Sequence, residues 1–289
     1  MGRLSNRSDL VSQSHGNNTP YASQRCTNLG VTGELAQLEE RLLCKQEVRS
    51  SSLLFSIRYL RIANVHYQMF MKLFLDTAET SDIARLFTTG LVDGVTTNPT
   101  LIRKSGRDPE EVYAELKKLG VPDISMEVGG NWTEMLTEGK RLHGKFGDVA
   151  TIKVPCTPDG LMACKYLSQD NISVNVTLVF SVAQAIMVAK AGAKYVSPFV
   201  GRCNDNSFSG VELVRAIAGT YNVHNVETQV LAASLRDVHH VSRCFLYGAK
   251  VVTVPPTVFE KMYNHVLTDS GLAIFEKDFS LIKSETTDI

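Results

Sequence analysis

The chain has 289 residues, of which 44% are hydrophobic and 21% are charged, and its 30 basic residues balance its 30 acidic residues. This composition is typical of a globular protein and excludes a disordered chain, a collagen-like repeat and a coiled coil. A net charge of zero argues against nucleic acid or an anionic membrane as a partner, because both need a basic surplus. No stretch approaches the roughly 18 apolar residues of a membrane span.

The cysteines indicate the compartment. They are Cys26, Cys44, Cys156, Cys164, Cys203 and Cys244. No C-x-x-C motif occurs, and no cysteine lies at zinc-ligand spacing from a histidine. The sequence therefore predicts free thiols in a reducing cytoplasm and no metal site.

Residues 1–70 differ in composition from the rest of the chain. They are rich in Ser, Asn and Arg, and they lack the compact apolar segment of a secretory signal. An organelle transit peptide fits the Arg and Ser content but not the four glutamates between positions 34 and 47. The run from Glu34 to Leu53 resembles the peptide produced when a transfer-RNA gene is read as protein. We expect an unstructured leader without a catalytic part, and a natural start at Met71 or Met69.

From residue 71 onwards, short β-branched runs alternate with helical patterns. Predicted strands lie at 72–76, 92–98, 123–128, 150–154, 174–179, 195–200, 229–234 and 251–254. Predicted helices lie at 80–88, 109–119, 132–146, 158–167, 181–191, 210–221, 237–247 and 257–264, with a further C-terminal helix at 272–282. Strands separated by helices run parallel. Eight such units predict an α/β fold of the (β/α)8 TIM-barrel class over residues 71–289.

An open doubly wound sheet is the alternative fold. It would need a glycine-rich phosphate loop after the first strand, and Asp76-Thr-Ala-Glu is not such a loop. The closed barrel is therefore favoured, and its active site is expected at the C-terminal ends of the strands.

Polar residues collect at these strand ends. They are Asp76, Thr96, Asn98, Glu127, Lys153, Asn175, Thr177, Ser197 and Ser234, with Arg202 and Arg236 just past the sixth and seventh strands. One polar residue could lie on the surface of a misplaced strand. Many polar residues at matching positions of successive strands indicate an active site.

Lys153 is the strongest candidate for a catalytic residue. Its neighbours Ile152, Val154 and Pro155 are apolar, and no acid is adjacent in sequence. Removal from water favours the uncharged form of an amine, which can form a Schiff base with a carbonyl. Alternatively, the side chain extends from the strand end to solvent. Asp76 and Glu127 favour the catalytic alternative, because imine formation needs several proton transfers.

Arg202 and Arg236 are candidates for phosphate binding together with Ser234. The guanidinium fork matches phosphate oxygens, and barrels of this class often bind phosphate near strands seven and eight. The alternative is a pair of solvated surface arginines.

Four short motifs give the chain a family resemblance. They are LFLDTA at 73–78, GVTTNPT at 94–100, IKVP at 152–155 and LAAS at 231–234. In combination they resemble the transaldolase family, in the short branch that also contains fructose-6-phosphate aldolase. The resemblance covers about residues 71–279. It implies a (β/α)8 barrel, a Schiff-base lysine, sugar-phosphate substrates, no metal or organic cofactor, and a homo-oligomer of five or ten chains.

The resemblance also implies roles for particular residues. Lys153 becomes the Schiff-base lysine, Asp76 and Glu127 transfer protons, and Thr177 helps Glu127 to hold a water molecule. The implied substrate-binding residues are Thr96, Asn98, Asn175, Ser197 and Phe199 around the sugar, and Arg202, Ser234 and Arg236 around the phosphate. The implied activity is transfer of a dihydroxyacetone unit in the pentose phosphate pathway.

Two positions distinguish the branches of the family. The aldolase type tends to have Gln where this chain has Glu127 and Tyr where it has Phe199, so the transaldolase type is favoured. The loop at 202–209 departs from the Asp- and Gly-rich form that is expected. A fructose-6-phosphate aldolase remains one alternative, and a barrel that binds sugar phosphates without catalysis is another.

Overall fold

The computed structural model describes residues 71–287, with side chains up to Lys283. The expectations for residues 1–70 lie outside the described part. The strands are β1 (Lys72–Asp76), β2 (Gly94–Thr96), β3 (Ile124–Glu127), β4 (Ala150–Pro155), β5 (Val174–Val179), β6 (Tyr195–Pro198), β7 (Gln229–Ala232) and β8 (Val251–Val254). The helices are α1 (Thr80–Phe87), α2 (Pro99–Ser105), α3 (Pro109–Lys118), α4 (Trp132–Phe146), α5 (Pro158–Gln169), α6 (Val182–Lys190), α7 (Val200–Asp205), α8 (Gly210–Val223), α9 (Val238–Leu246), α10 (Pro256–Lys261) and α11 (Val266–Thr287).

The strands form a closed barrel in the order β1 to β8, and neighbouring strands are parallel. β1 pairs with β2 on one side and with β8 on the other, so the sheet has no free edge. The predicted (β/α)8 barrel with an additional C-terminal helix is therefore confirmed, and the open sheet is wrong.

Successive side chains of each strand point alternately toward the helices and toward the barrel interior, so the apolar residues form two separate clusters. Residues such as Ile152 and Val154 belong to the large cluster between strands and helices. A smaller cluster contains Phe74, Tyr195, Leu231, Ala233 and Val251, and the rings of Phe74 and Tyr195 meet edge to face with centroids 6.0 Å apart. Tyr195 and Val251 are the first residues of β6 and β8, and Phe74 is the middle residue of β1, so these members lie below the end of the barrel where the polar residues collect.

Helix starts follow from short capping sequences. Asp108 accepts hydrogen bonds from two backbone N–H groups of α3, and Asn131 forms a capping box with Glu134 at α4. Pro109 occupies the first turn, where its missing N–H has no intrahelical partner to lose. Glycines that follow the ends of helices have positive φ angles; they are Gly120, Gly147, Gly192 and Gly248.

The structure adds two short helices that the sequence pattern did not indicate. α2 and α7 follow β2 and β6 directly and have 7 and 6 residues. Such lengths are too short for a helical repeat of apolar residues to be visible. The predicted strands at 92–98 and 195–200 are correspondingly too long, since their last residues belong to these helix starts. α11 begins at Val266, six residues before the predicted start of 272.

Close packing inside the barrel predicts a large cost for a small substitution at Gly94. A Cβ atom there would lie 2.6 Å from Phe74 Cζ and 2.8 Å from the carbonyl oxygen of Asp123. Because β2 backbone and the Phe74 ring would have to move, Gly94→Ala should lower the free energy of unfolding by about 1–3 kcal/mol or more, measured by urea denaturation.

Gly144→Ala is the matched control. Gly144 lies inside α4, and a Cβ atom there would meet nothing within 4 Å. That variant should gain about 0.5–1 kcal/mol, because alanine loses less backbone entropy in a helix. A Gly94→Ala protein as stable as the parent would contradict the packing described here.

Candidate active site

The amine of Lys153 lies inside the barrel. Its side chain is 6% exposed, and Nζ lies 2.9 Å from Glu127 Oε2 and donates a hydrogen bond of 2.8 Å to the carbonyl oxygen of Thr97. The register of β3 and β4 places Glu127 directly opposite Lys153. An acid from the neighbouring strand therefore faces the amine, and the alternative in which the side chain extends to solvent is wrong.

Asp76 is the second carboxylate of this cluster. Its Oδ1 accepts a hydrogen bond of 2.9 Å from the Thr96 hydroxyl, which also lies 2.7 Å from the hydroxyl of Thr253. Burial raises the pKa of the Asp76 carboxyl above its ordinary value. The charge of Lys153 and the hydrogen bond from Thr96 oppose this rise, whereas the charge of Glu127 adds to it. A carboxylate with a raised pKa is a stronger base, which suits proton removal from a hydroxyl.

Strands β5 and β6 contribute a buried amide and hydroxyl groups. Asn175 donates to Ser125 Oγ at 3.1 Å and accepts from Ser197 Oγ at 2.6 Å. Thr177 is 1% exposed, and its hydroxyl has no hydrogen-bond partner among the described protein groups. A buried polar group without a protein partner is unusual and is commonly satisfied by water or a ligand.

Two of the predicted substrate-binding residues, Asn98 and Phe199, contact neighbouring protein groups. Asn98 caps α2, because its Oδ1 accepts from the backbone N–H of Leu101 at 3.0 Å. The ring of Phe199 packs edge to face against Phe180 and lies under the guanidinium of Arg202, 5.1 Å from the ring centroid. Asn98 follows β2 and Phe199 follows β6, so both residues stand at the C-terminal ends of strands.

The arginine candidates lie at the same end of the barrel but are exposed. Arg236 forms a bidentate pair with Asp205, with both N–O distances 2.6 Å. Ser234 has a φ of +57°, a left-handed conformation that non-glycine residues seldom adopt. Gly201 makes this turn possible, because a Cβ atom there would lie 2.3 Å from the Ser234 carbonyl oxygen, 2.9 Å from its Oγ and 3.0 Å from Arg236 Nε.

The structure thus brings Lys153, Glu127, Asp76 and Thr96 together in one largely buried cluster. A second group, on the segments that follow β6 and β7, consists of Gly201, Ser234 and Arg236. Several contributors were missed by sequence reasoning: Thr97, Ser125, Thr253, Gly201 and Asp205. Thr253 had a visible signal, as the polar residue in the run Val-Val-Thr-Val. The backbone carbonyl of Thr97 had no signal in the sequence, because every residue has a backbone carbonyl group.

Other chemistry is not indicated in the described part of the chain. Within residues 71–283, no three His, Cys, Asp or Glu side chains are grouped so that they could hold a metal ion. Cys156, Cys164, Cys203 and Cys244 are free thiols. None of the described helices is both long and apolar enough to cross a membrane.

A buried lysine with two carboxylates toward the C-terminal ends of the strands of a (β/α)8 barrel is the arrangement of an aldolase-type enzyme. Comparison with known proteins agrees: the family model described as Transaldolase/Fructose-6-phosphate aldolase matches residues 73–287. The chain belongs to this family.

Relatives of the chain carry consistent names. It is 48% identical over 211 residues to a "Probable transaldolase" of Caulobacter vibrioides, covering 73% of this chain and 97% of the relative. A "Probable transaldolase" of Hyphomonas neptunium is 50% identical over 209 residues, covering 72% and 96%. One of Nitrosopumilus maritimus is 47% identical over 221 residues, covering 76% and 99%.

The raised pKa of Asp76 predicts how stability depends on pH. The folded protein holds this proton more tightly than the unfolded chain, so stability falls as pH rises from the unfolded pKa near 4 through the folded pKa. Asp76→Asn removes this loss. The free energy of unfolding of the variant relative to the parent should therefore increase with pH above about 4.

Glu110→Gln provides a control of opposite sign. Hydrogen bonds from Arg141 and Lys145 lower the pKa of Glu110 to about 2, so its contribution is present above the unfolded pKa and is lost as pH falls. This variant should be slightly less stable than the parent at neutral pH and equal to it near pH 2, with a small effect because the pair is partly exposed. An Asp76→Asn difference that does not vary with pH would contradict the account of Asp76.

Proposed function

We propose that the protein is a transaldolase that moves a dihydroxyacetone unit from sedoheptulose 7-phosphate to glyceraldehyde 3-phosphate. The products are erythrose 4-phosphate and fructose 6-phosphate. The observation that carries the proposal is the buried amine of Lys153, 2.9 Å from the Glu127 carboxylate. No metal or organic cofactor is needed for this reaction, which would take place in the cytoplasm as part of the pentose phosphate pathway.

The first step joins Lys153 to the substrate. The uncharged amine attacks the C2 carbonyl of the ketose, and the resulting carbinolamine loses water to form an imine. Glu127 is close enough to accept a proton from the ammonium and to return one to the departing hydroxyl. The buried hydroxyl of Thr177, which has no partner among the described protein groups, would hold a water molecule for Glu127 in this step.

The second step breaks the bond between C3 and C4. Asp76 takes the proton of the C4 hydroxyl, the C4–O bond becomes a carbonyl, and the electron pair of the C3–C4 bond moves into the protonated imine. Burial raises the pKa of Asp76, which strengthens it as a base for this proton. The aldose phosphate leaves, and the three-carbon unit stays on Lys153 as an enamine.

The third step reverses this chemistry with the acceptor. The enamine carbon attacks the aldehyde of glyceraldehyde 3-phosphate, and Asp76 returns its proton to the new hydroxyl. Hydrolysis of the imine then releases fructose 6-phosphate. Ser234, Arg202 and Arg236 would hold the phosphate of each aldose, because guanidinium groups pair well with phosphate oxygens.

A fructose-6-phosphate aldolase is the alternative within the family. It would release dihydroxyacetone rather than keep it for transfer. The carboxylate at Glu127 and the phenyl ring at Phe199 favour transfer, because Phe199 lacks a hydroxyl that could protonate the enamine. A barrel that only binds sugar phosphates is the alternative of another class, and the buried lysine with two acids argues against it.

Trapping of the imine tests the proposal. The protein is treated with borohydride in the presence of fructose 6-phosphate, and peptide mass mapping should find the reduced adduct on Lys153. Lys194 serves as an internal control, because it also pairs with a carboxylate, at 2.8 Å from Asp123, but near the opposite end of the barrel. Lys153→Ala should abolish both the adduct and turnover.

The outcomes separate the alternatives. Ordinary turnover by Lys153→Ala would end the proposal, and binding of the sugar phosphate without any adduct would favour the non-catalytic barrel. Release of dihydroxyacetone from fructose 6-phosphate without an acceptor would identify the aldolase.

We also propose that the protein is a homo-oligomer in which α11 packs on a neighbouring copy. Large apolar side chains of α11 are exposed, among them Leu272, Ile274, Phe275 and Phe279, each between 54% and 64%. An exposed apolar surface of this kind is typical of an interface. Analytical ultracentrifugation should give five or ten times the mass of one chain, and a monomer at micromolar concentration would contradict this.

A further inference from the structure

We propose that Asp205 is an internal counter-anion of the phosphate site, which occupies Arg236 in the free protein and is displaced by the phosphate of the substrate. Asp205 would then set how tightly phosphorylated substrates bind. This inference rests on the proposed function in one respect, namely that Arg236 receives the phosphate.

The geometry of the pair resembles that of a bound phosphate. Both terminal nitrogens of Arg236 contact the two oxygens of Asp205 at 2.6 Å. The hydrogen bond from Arg236 lowers the pKa of the Asp205 carboxyl, and the charge of Arg202 acts in the same direction. Asp205 therefore places its negative charge in the field of both arginines that are proposed to hold the substrate.

The segments that carry the pair are fixed before any ligand arrives. Asn204 Oδ1 accepts from the backbone N–H of Gly210 at 3.0 Å, and its Nδ2 faces His240 Nε2 at 3.3 Å. Asp237, next to Arg236, caps α9 by accepting from the backbone N–H of His240 at 2.8 Å. The carboxylate and the guanidinium are therefore held facing each other by their neighbours in sequence.

Competition follows from the face of the guanidinium that Asp205 occupies. End-on bidentate binding of phosphate uses the same two terminal nitrogens that Asp205 contacts. The remaining N–H groups of Arg236 are available, but a phosphate on them would lie beside the Asp205 carboxylate, where the two negative charges repel each other. The phosphate must displace Asp205 or bind less well. An exposed ion pair is worth little, so a dianionic phosphate can replace the carboxylate at a small cost in affinity.

Removal of the carboxylate should strengthen phosphate binding. Asp205→Asn keeps the shape of the side chain but removes its charge, and we expect inorganic phosphate to bind about three- to tenfold more tightly in titration calorimetry. Glu212→Gln is the matched control, because Glu212 and Arg215 form an exposed pair at 2.8 Å on α8 and the change in net charge is the same. Its phosphate affinity should equal that of the parent.

A second measurement separates the role of Asp205 from a general effect on the site. The concentration of fructose 6-phosphate that gives half-maximal borohydride trapping on Lys153 should fall about three- to tenfold in Asp205→Asn. The corresponding concentration of unphosphorylated fructose should not change, since that sugar has no phosphate to compete with Asp205. A merely structural disturbance would shift both sugars together.

Each other outcome overturns the inference. Unchanged or weaker phosphate binding in Asp205→Asn would show that the carboxylate orients Arg236 or has no role, and a lack of phosphate binding in both proteins would remove the site itself. Failure of the proposed function is distinguishable, because the parent protein would then give no adduct on Lys153, whereas the phosphate titration does not depend on an imine.

Discussion

The contact between Lys153 and Glu127 is the interaction on which the site depends. It exists because β3 and β4 are parallel neighbours whose register sets residue 127 opposite residue 153. Two charges with so little exposure lose much of their hydration, and their attraction in the interior offsets part of that loss. The carbonyl oxygen of Thr97 supplies a further acceptor for the amine. Such a pair contributes little net stability, which is consistent with the chemical role proposed for it.

The interior of the barrel below this pair is filled by an apolar layer and, at the base, by a hydrogen-bonded polar cluster. Below the site, Phe74, Tyr195, Leu231 and Val251 fill the barrel with apolar volume. At the base, Asp123 accepts hydrogen bonds from the hydroxyls of Thr151 and Tyr195 and from Lys194. Burial and the neighbouring Asp123 charge raise the pKa of the Tyr195 hydroxyl, so it remains a donor at neutral pH. The filled base is consistent with the site proposed at the C-terminal ends of the strands.

The architecture could be predicted from the sequence because strand and helix periods alternate eight times without interruption. Lys153, Asp76 and Glu127 were also visible, as charged residues late in apolar strands. What the sequence could not supply is register. No local pattern states that Glu127 faces Lys153 rather than another strand, because that distance depends on how the strands are staggered around the barrel.

The exposed part of the site was harder to predict for a related reason. The pair of Asp205 and Arg236 joins residues 31 positions apart through loops that follow two strands, and neither residue lies in a periodic segment. The short helix α7 was missed for the same cause, although it carries Asp205. Gly201 was overlooked because the sequence does not show which backbone approaches it.

The two halves of the site differ physically, and the difference suits the transfer reaction proposed above. Lys153, Glu127 and Asp76 stand on strands inside a closed sheet, where their positions are fixed by many backbone hydrogen bonds. Arg202 stands on the short helix α7 and Arg236 on the segment between β7 and α9, and both are exposed, where an ion pair is weak. In the proposed reaction, donor and acceptor phosphates leave and enter while the three-carbon unit remains attached. A covalent bond to Lys153 and exposed charge pairs around the phosphate would satisfy both requirements.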